Sequence, residues 1–194
     1  MILPLVLVLA GGAALLVGCQ ATRAGYESAP YKVVRSEGRF QVRDYPSLTI
    51  VETRTGGGGE ADDGGFGRLF RFITGKNEAK QKIAMTTPVF MSGESTNRSM
   101  AFVMPSKMSV EGAPRPLEST VAVREQSAGR FAVLRYAGGR GPEREAESLG
   151  RLSAWMASAG LKAVSGPIYG YFDPPWTPAF LRRNEVMLRV EGEK

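Results

Sequence analysis

Histidine is absent from this 194-residue sequence, and cysteine occurs once. Without imidazole there is no Ser-His-Asp or Cys-His nucleophile pair, no His-rich zinc or non-haem iron site, and no imidazole axial ligand for haem. A single thiol makes no internal disulfide, so survival in an oxidising compartment rests on packing alone. Paired carboxylates, metal-ligand spacings and nucleophile motifs are missing as well. Nothing therefore argues for an enzyme; Glu52 and Glu125, in predicted strands, are the acid–base candidates, and strand glutamates commonly just face solvent. The net charge of +6 (25 Lys and Arg against 19 Asp and Glu) is dispersed. Basic residues alternate with acidic ones, which disfavours nucleic-acid binding. What is present is the composition of an ordinary globular protein, 43% hydrophobic, at a length suited to one domain or two small halves sharing a core.

Charge is also absent from the first 18 residues, Met1 to Gly18, an apolar run rich in Leu, Val and Ala. The run falls short of the about 20 apolar residues of a comfortable membrane-spanning helix, and Pro4, Gly11 and Gly12 weaken it further. A cleaved signal over residues 1–18 fits better. The sequence Leu16-Val17-Gly18-Cys19 resembles the bacterial lipobox, in which small residues precede a cysteine that is lipidated on sulfur. That resemblance implies a diacylglyceryl anchor on Cys19, and Gln20 at the next position implies sorting to the outer membrane, facing the periplasm. Residues 19–30 then form a flexible tether, and a folded domain is expected over 31–191.

From Tyr31 the chain alternates in short β-branched and aromatic runs, Tyr31 to Arg35, Phe40 to Tyr45 and Leu48 to Glu52, broken at Glu37-Gly38 and Tyr45-Pro46. These predict strands. The segment Gly38-Arg39-Phe40-Gln41-Val42-Arg43-Asp44-Tyr45 returns as Gly129-Arg130-Phe131-Ala132-Val133-Leu134-Arg135-Tyr136, with five of eight positions identical at an offset of 91 residues. The match suggests a duplication, with halves of about 31–105 and 119–190. Each copy is followed by a glycine-rich stretch and then a helical pattern. In the first, Phe66, Leu69, Phe70 and Ile73 fall at i, i+3, i+4 and i+7, with Asp62 or Asp63 placed to cap the start and Gly75 to stop the end. In the second, Glu143 to Ser158 carries a stripe of Ala146, Leu149, Leu152, Ser153 and Met156. Strands are predicted over Lys82 to Met91, Met100 to Met104, Leu161 to Phe172 and Glu185 to Val190. The expected architecture is α+β, two helices packed on a shared, barrel-like antiparallel sheet. The seven glycines between Gly56 and Gly67 are not a phosphate loop, because Gly75-Lys76-Asn77 follows a helix rather than opening one.

Three further segments stand out: Asn77 to Val89 (NEAKQKIAMTTPV), Met100 to Pro105 (MAFVMP), and Asp173 to Pro178 (DPPWTP) running on through Arg182-Arg183-Asn184-Glu185-Val186. Together with Tyr31 to Pro46 they resemble the SOUL haem-binding protein family over nearly the whole mature chain. The resemblance implies a pseudo-duplicated, distorted eight-stranded antiparallel β-barrel with two flanking helices, and binding of haem or a related tetrapyrrole. It places the ligand along the first helix, with Phe66, Leu69 and Phe70 as an apolar floor and Arg71, helped by Arg68, toward the propionates. A second basic residue that the family places just after Asp-Pro-Pro is not matched, Thr177 standing near that point, so Arg182 or Arg183 would have to serve. Because Phe70, Arg71 and Phe72 cannot all face inward, one aromatic must be partly exposed. With no histidine, iron ligation falls to a Tyr, to a Met such as Met85, Met91, Met100 or Met104, or to no protein group; binding by the porphyrin face is favoured. The alternative is a general binder of hydrophobic small molecules, of the effector-binding kind.

Overall fold

The computed structural model describes residues 25–56, 64–93 and 97–191. The signal, the lipobox with Cys19 and the expected caps Asp62 and Asp63 lie outside the described residues. The strands are β1 (Glu27–Ser28), β2 (Lys32–Glu37), β3 (Phe40–Tyr45), β4 (Leu48–Thr55), β5 (Thr86–Thr87), β6 (Val89–Ser92), β7 (Arg98–Val103), β8 (Val121–Gln126), β9 (Gly129–Tyr136), β10 (Ile168–Tyr171) and β11 (Asn184–Arg189). Helix α1 (Gly65–Ile73) follows β4, and α2 (Pro142–Ser158) follows β9. No helix of the described residues is long and apolar enough to cross a membrane.

Nine strands form one antiparallel sheet in the order β2-β3-β9-β11-β10-β6-β7-β4-β8, and β1 pairs with β5 in a small parallel ladder. Strands β3 and β4 stand second and eighth in that order, yet only Pro46 and Ser47 join them. A flat sheet would separate them by roughly 29 Å at about 4.8 Å per strand, far beyond the reach of two residues. The sheet must therefore curl. Its inner face closes on a cluster that includes Tyr45, Leu48, Ile50, Phe90, Phe131, Val133 and Met187. The α+β class with two helices is thus present, but the barrel is met only in part. The sheet has nine strands rather than eight, and among the described residues β8 pairs with neither β2 nor β3.

The strand order is symmetric about the β10–β6 pair, and the repeat it reveals is not the one suggested by the eight-residue match. Symmetry relates β3 to β8, β4 to β9, α1 to α2, β6 to β10 and β7 to β11. Lengths agree in every strand pair: six residues, eight, four and six. The shift between halves is thus about 80 residues. The segments Phe40–Tyr45 and Phe131–Tyr136 belong to β3 and β9, which are hydrogen-bonded neighbours (Phe40 opposite Leu134, Arg43 opposite Phe131) and not equivalents. The predicted strand over Lys82–Met91 is split into β5 and β6, and that over Leu161–Phe172 shrinks to Ile168–Tyr171.

Each helix covers the outer face of one half. Helix α1 buries Leu69, Phe72 and Ile73 against Val51, Phe102 and Val121, so the inward stripe is rotated from the predicted one, with Phe66 and Phe70 turned outward. It starts at Gly64, a left-handed residue with no side-chain cap. It ends as expected at Gly75, whose φ of 113° lets its N–H reach Phe72 O while Lys76 N–H reaches Arg71 O, a Schellman closure. Helix α2 opens with Pro142 in its first turn and buries Glu145, Ser148, Leu152 and Met156. Ala146 and Ser153, expected on the inner stripe, are exposed. Glu145 takes the inner position because partners await it there: both its oxygens accept from Arg98 Nη2, at 3.0 and 2.9 Å, and Oε1 also accepts from the Tyr171 hydroxyl.

Candidate functional site

The outward face of α1 is an open aromatic surface with charge at one border. Phe66 and Phe70 are one turn apart, as i and i+4 on a helix dictate. Their rings stack with centroids 5.8 Å apart and planes 14° apart. Phe66 is braced from below by an edge contact with the buried ring of Phe102 at 5.3 Å. Both rings remain accessible, Phe66 40% and Phe70 46% exposed, and Phe70 is the partly exposed aromatic that the Phe70-Arg71-Phe72 triplet requires. Leu69 is wholly enclosed, so it supports this surface from within the core and offers no area of its own.

Arg71 extends from the same helix and is half exposed. Its Nε and Nη2 donate to Glu118 Oε1 at 3.2 and 3.1 Å, and Lys76 Nζ approaches the same oxygen at 3.4 Å. Partial burial pushes the Glu118 carboxyl up, but the hydrogen bonds from Arg71 and Lys76 outweigh it and hold the group below the usual carboxylate range. Two cations thus converge on one carboxylate at the border of the ring pair, a local excess of one positive charge. Leu117, the preceding residue, is exposed. Glu118 and Lys76 were not legible in the sequence as members of the site, because Glu118 reaches α1 across 47 residues from an irregular segment.

Other predicted contacts are not brought together with this face. Arg68 turns toward β4, donating from Nε to Thr53 Oγ1 at 3.1 Å and from Nη2 to Arg54 O at 2.6 Å. It fastens the helix to the sheet. Arg182 donates from Nε to Thr177 O at 2.7 Å. Arg183 lies at the inner face of the sheet, its Nη2 2.7 Å from Glu185 Oε1 and its guanidinium 3.9 Å over the Phe172 ring. The curled sheet separates Arg183 from α1, so a single flat ligand on the helix does not reach it.

Candidate iron ligands are sparse. Among the described residues no group of three or more His, Cys, Asp or Glu could hold a metal ion. Met104 is buried in the cluster beneath α1, Met85 and Met100 pack against that cluster, and Met91 packs under α2. Burial pushes the Tyr45 hydroxyl up to about 12 and raises Tyr136, Tyr169 and Tyr171 as well, which opposes a ligating phenolate. The face of α1 offers apolar ring area beside cations, an arrangement that suits a planar apolar molecule bearing carboxylates.

A second concavity lies inside the curled sheet, between Tyr45, Leu48, Ile50, Phe90 and Met187, with a volume of about 30 Å³. Glu52, at its lining, is paired with Arg124 at 2.7 Å. Glu125 accepts from Ser47 at 3.2 Å on the exposed side. Neither carboxylate is unpartnered.

Comparison with known proteins bears on the family and the fold. Residues 26–189 match the family model described as SOUL heme-binding protein. The chain is similar to Heme-binding protein 2 of Homo sapiens, 28% identical over 194 residues, covering 94% of this chain and 93% of the human protein. Among solved structures it resembles a hydrolase encoded by lin2189 from Listeria innocua (TM-score 0.60, 11% identity, 81% of this chain and 94% of that one). It also resembles the EcmrR C-terminal domain (TM-score 0.57, 12% identity, 83% and 98%). At those identities the structural likenesses establish the fold alone. The family match spans the sheet, both helices and the aromatic face of α1, and on that ground the chain belongs to the SOUL heme-binding protein family.

Proposed function

We propose that this protein binds haem or a related tetrapyrrole on the outer face of α1, as a carrier or buffer tethered to the bacterial envelope through Cys19. One observation carries the reading: two stacked, accessible phenyl rings bordered by the Arg71–Glu118–Lys76 cluster. A tetrapyrrole is a flat apolar disc with carboxylates at one edge, and it needs apolar area beside cations. Covering about 300 Å² of apolar surface at about 25 cal/mol/Å² yields roughly 7 kcal/mol, equivalent to about 10 μM before association costs of several kcal/mol, so the rings alone give about millimolar holding and the cations at their border must supply the rest. Such holding suits transfer better than redox chemistry. The inner concavity supports a general small-molecule binder less well. Its 30 Å³ compares with roughly 300–1,000 Å³ for sites that enclose a drug-sized ligand.

Titration of the purified protein with hemin, followed by the Soret band, is expected to saturate. Phe70→Ala is expected to weaken binding about tenfold through loss of one stacking ring, and Arg71→Glu to weaken it comparably, with far-ultraviolet circular dichroism unchanged. An unsaturable response in the wild-type protein overturns the assignment. Glu118 occupies the cations that a propionate would engage. Glu118→Gln is therefore expected to tighten hemin binding by roughly threefold, as release of an exposed ion pair allows, measured in the same titration.

A further inference from the structure

The two most exposed large apolar side chains among the described residues are Trp176, 79% accessible, and Phe180, 72%, both in the segment between β10 and β11. This segment is not slack. Pro174, Pro175 and Pro178 restrict its backbone, Thr177 N–H donates to Pro174 O at 3.1 Å, and Leu181 N–H donates to Pro178 O at 2.9 Å. Arg182 holds the carbonyls of Thr177 and Pro175. Arg140 reaches over from the β9–α2 connection to Asp173 O, and Gly138 N–H donates to Ala179 O at 3.0 Å. A backbone fixed this firmly presents an indole and a phenyl ring to the outside, and the ordering cost of using them is already met.

The position of this segment indicates what it faces. The chain arrives from its amino-terminal side at the same end of the sheet: Ala29 N–H donates to Thr87 O at 2.8 Å, next to Pro88, which packs on Gly170 of β10. Tyr31 meets Arg183, the last residue before β11. Between Cys19 and Ala29 there is chain enough to span at most about 35 Å when fully extended. From Pro174 to Asn184 there is no acidic residue, and Arg182 lies within the segment, while Arg183 turns inward to Glu185. Indole and phenyl groups on a rigid projection that carries Arg182 and no carboxylate match the interfacial zone of an anionic bilayer, where amphipathic rings settle at headgroup depth.

We infer that Trp176 and Phe180 form a second, non-covalent contact with the lipid bilayer, which sets the domain at a fixed orientation on the membrane. The inference rests on the envelope-tethered part of the proposed function and adds a contact to it. The test uses the full chain carrying Trp155→Phe, which leaves Trp176 as the sole indole, with vesicles of phosphatidylethanolamine and phosphatidylglycerol. The expected result is co-sedimentation, a blue shift of Trp176 emission, quenching by brominated acyl chains, and loss of protection from aqueous iodide in the further variant Phe180→Ala. Co-sedimentation with Trp176 still fully quenched by iodide overturns the loop contact and leaves the tether standing. Failure to co-sediment overturns both. A blue shift that grows with protein concentration in the absence of vesicles assigns the rings to self-association and overturns the bilayer contact.

Discussion

Glu185→Ala is expected to destabilise the fold by about 3–5 kcal/mol, the range found when one partner of a buried ion pair is removed, as read from urea denaturation at neutral pH. The side chains of Arg43 and Glu185 are 2% and 0% exposed. Arg43 donates to both carboxylate oxygens, at 2.7 and 3.0 Å, and to the Tyr45 hydroxyl at 3.1 Å, while its guanidinium lies 4.1 Å over the Tyr31 ring. Arg183 adds a second donor set to Glu185 Oε1. Removing the carboxylate leaves two guanidiniums facing each other in a site with little water, and the cost is mainly theirs. An apolar double replacement, Arg43→Met with Glu185→Leu, is expected to recover part of the loss, because it removes the more deeply buried pair together and leaves only Arg183, itself 19% exposed, without its carboxylate. Burial pushes the Glu185 carboxyl up, but Arg43 and Arg183 prevail and hold it below its ordinary value of 4.5. Its contribution is therefore complete above that ordinary value and is lost as pH falls through the lower native one. The stability gap between wild type and Glu185→Ala should stay constant down to about pH 4.5 and narrow below it.

Leu69→Ala is expected to cost about 2–5 kcal/mol, because the side chain is fully enclosed between α1 and the sheet and its removal leaves a cavity. Hemin affinity of the folded protein should remain at the wild-type value, since Leu69 has no accessible surface to give. This pairing of a large stability loss with unchanged binding is the reverse of that expected for Phe70→Ala. Thermal denaturation and hemin titration on the same two variants check it. If Leu69→Ala weakens hemin as much as Phe70→Ala does, the ligand does not lie on the outer face.

Local chemistry made the first helix readable from sequence. Four apolar residues at helical spacing and Gly75 at the close located α1 to within one residue of Gly65–Ile73. The crowding of Phe70, Arg71 and Phe72 required an outward aromatic, and Phe70 is one. Interactions that span the fold were not readable. Glu185 and Arg43 are 142 residues apart, and nothing in Phe40–Tyr45 or Asn184–Arg189 alone says that two charged residues share the inner face. A faint signal existed: in each strand the charge sits at a position whose alternate neighbour, Tyr45 or Met187, faces the core. Glu145 lies outside the predicted α2 stripe, and its inward place depends on Arg98 and Tyr171, which offset the penalty of burying a carboxylate. The eight-residue match pointed to the wrong strand pair for a related reason. Similar strands that follow a tight glycine turn look alike, whereas equivalence under the repeat is a property of strand order.

The symmetry of the sheet gives α2 a counterpart role to α1, yet the two helices have diverged in what they leave available. Trp155 of α2 stacks on Phe40 with centroids 5.1 Å apart, its ring N–H donates to Glu37 Oε2 at 2.8 Å, and Arg35 lies 5.9 Å over the ring. The chain has supplied its own guest there, complete with a carboxylate and a cation, from β2 and β3. Of the two symmetry-related helices, α2 thus has its aromatic face covered from within the chain while the rings of α1 stay accessible, and a hemin titration of this protein should end at a single equivalent per polypeptide.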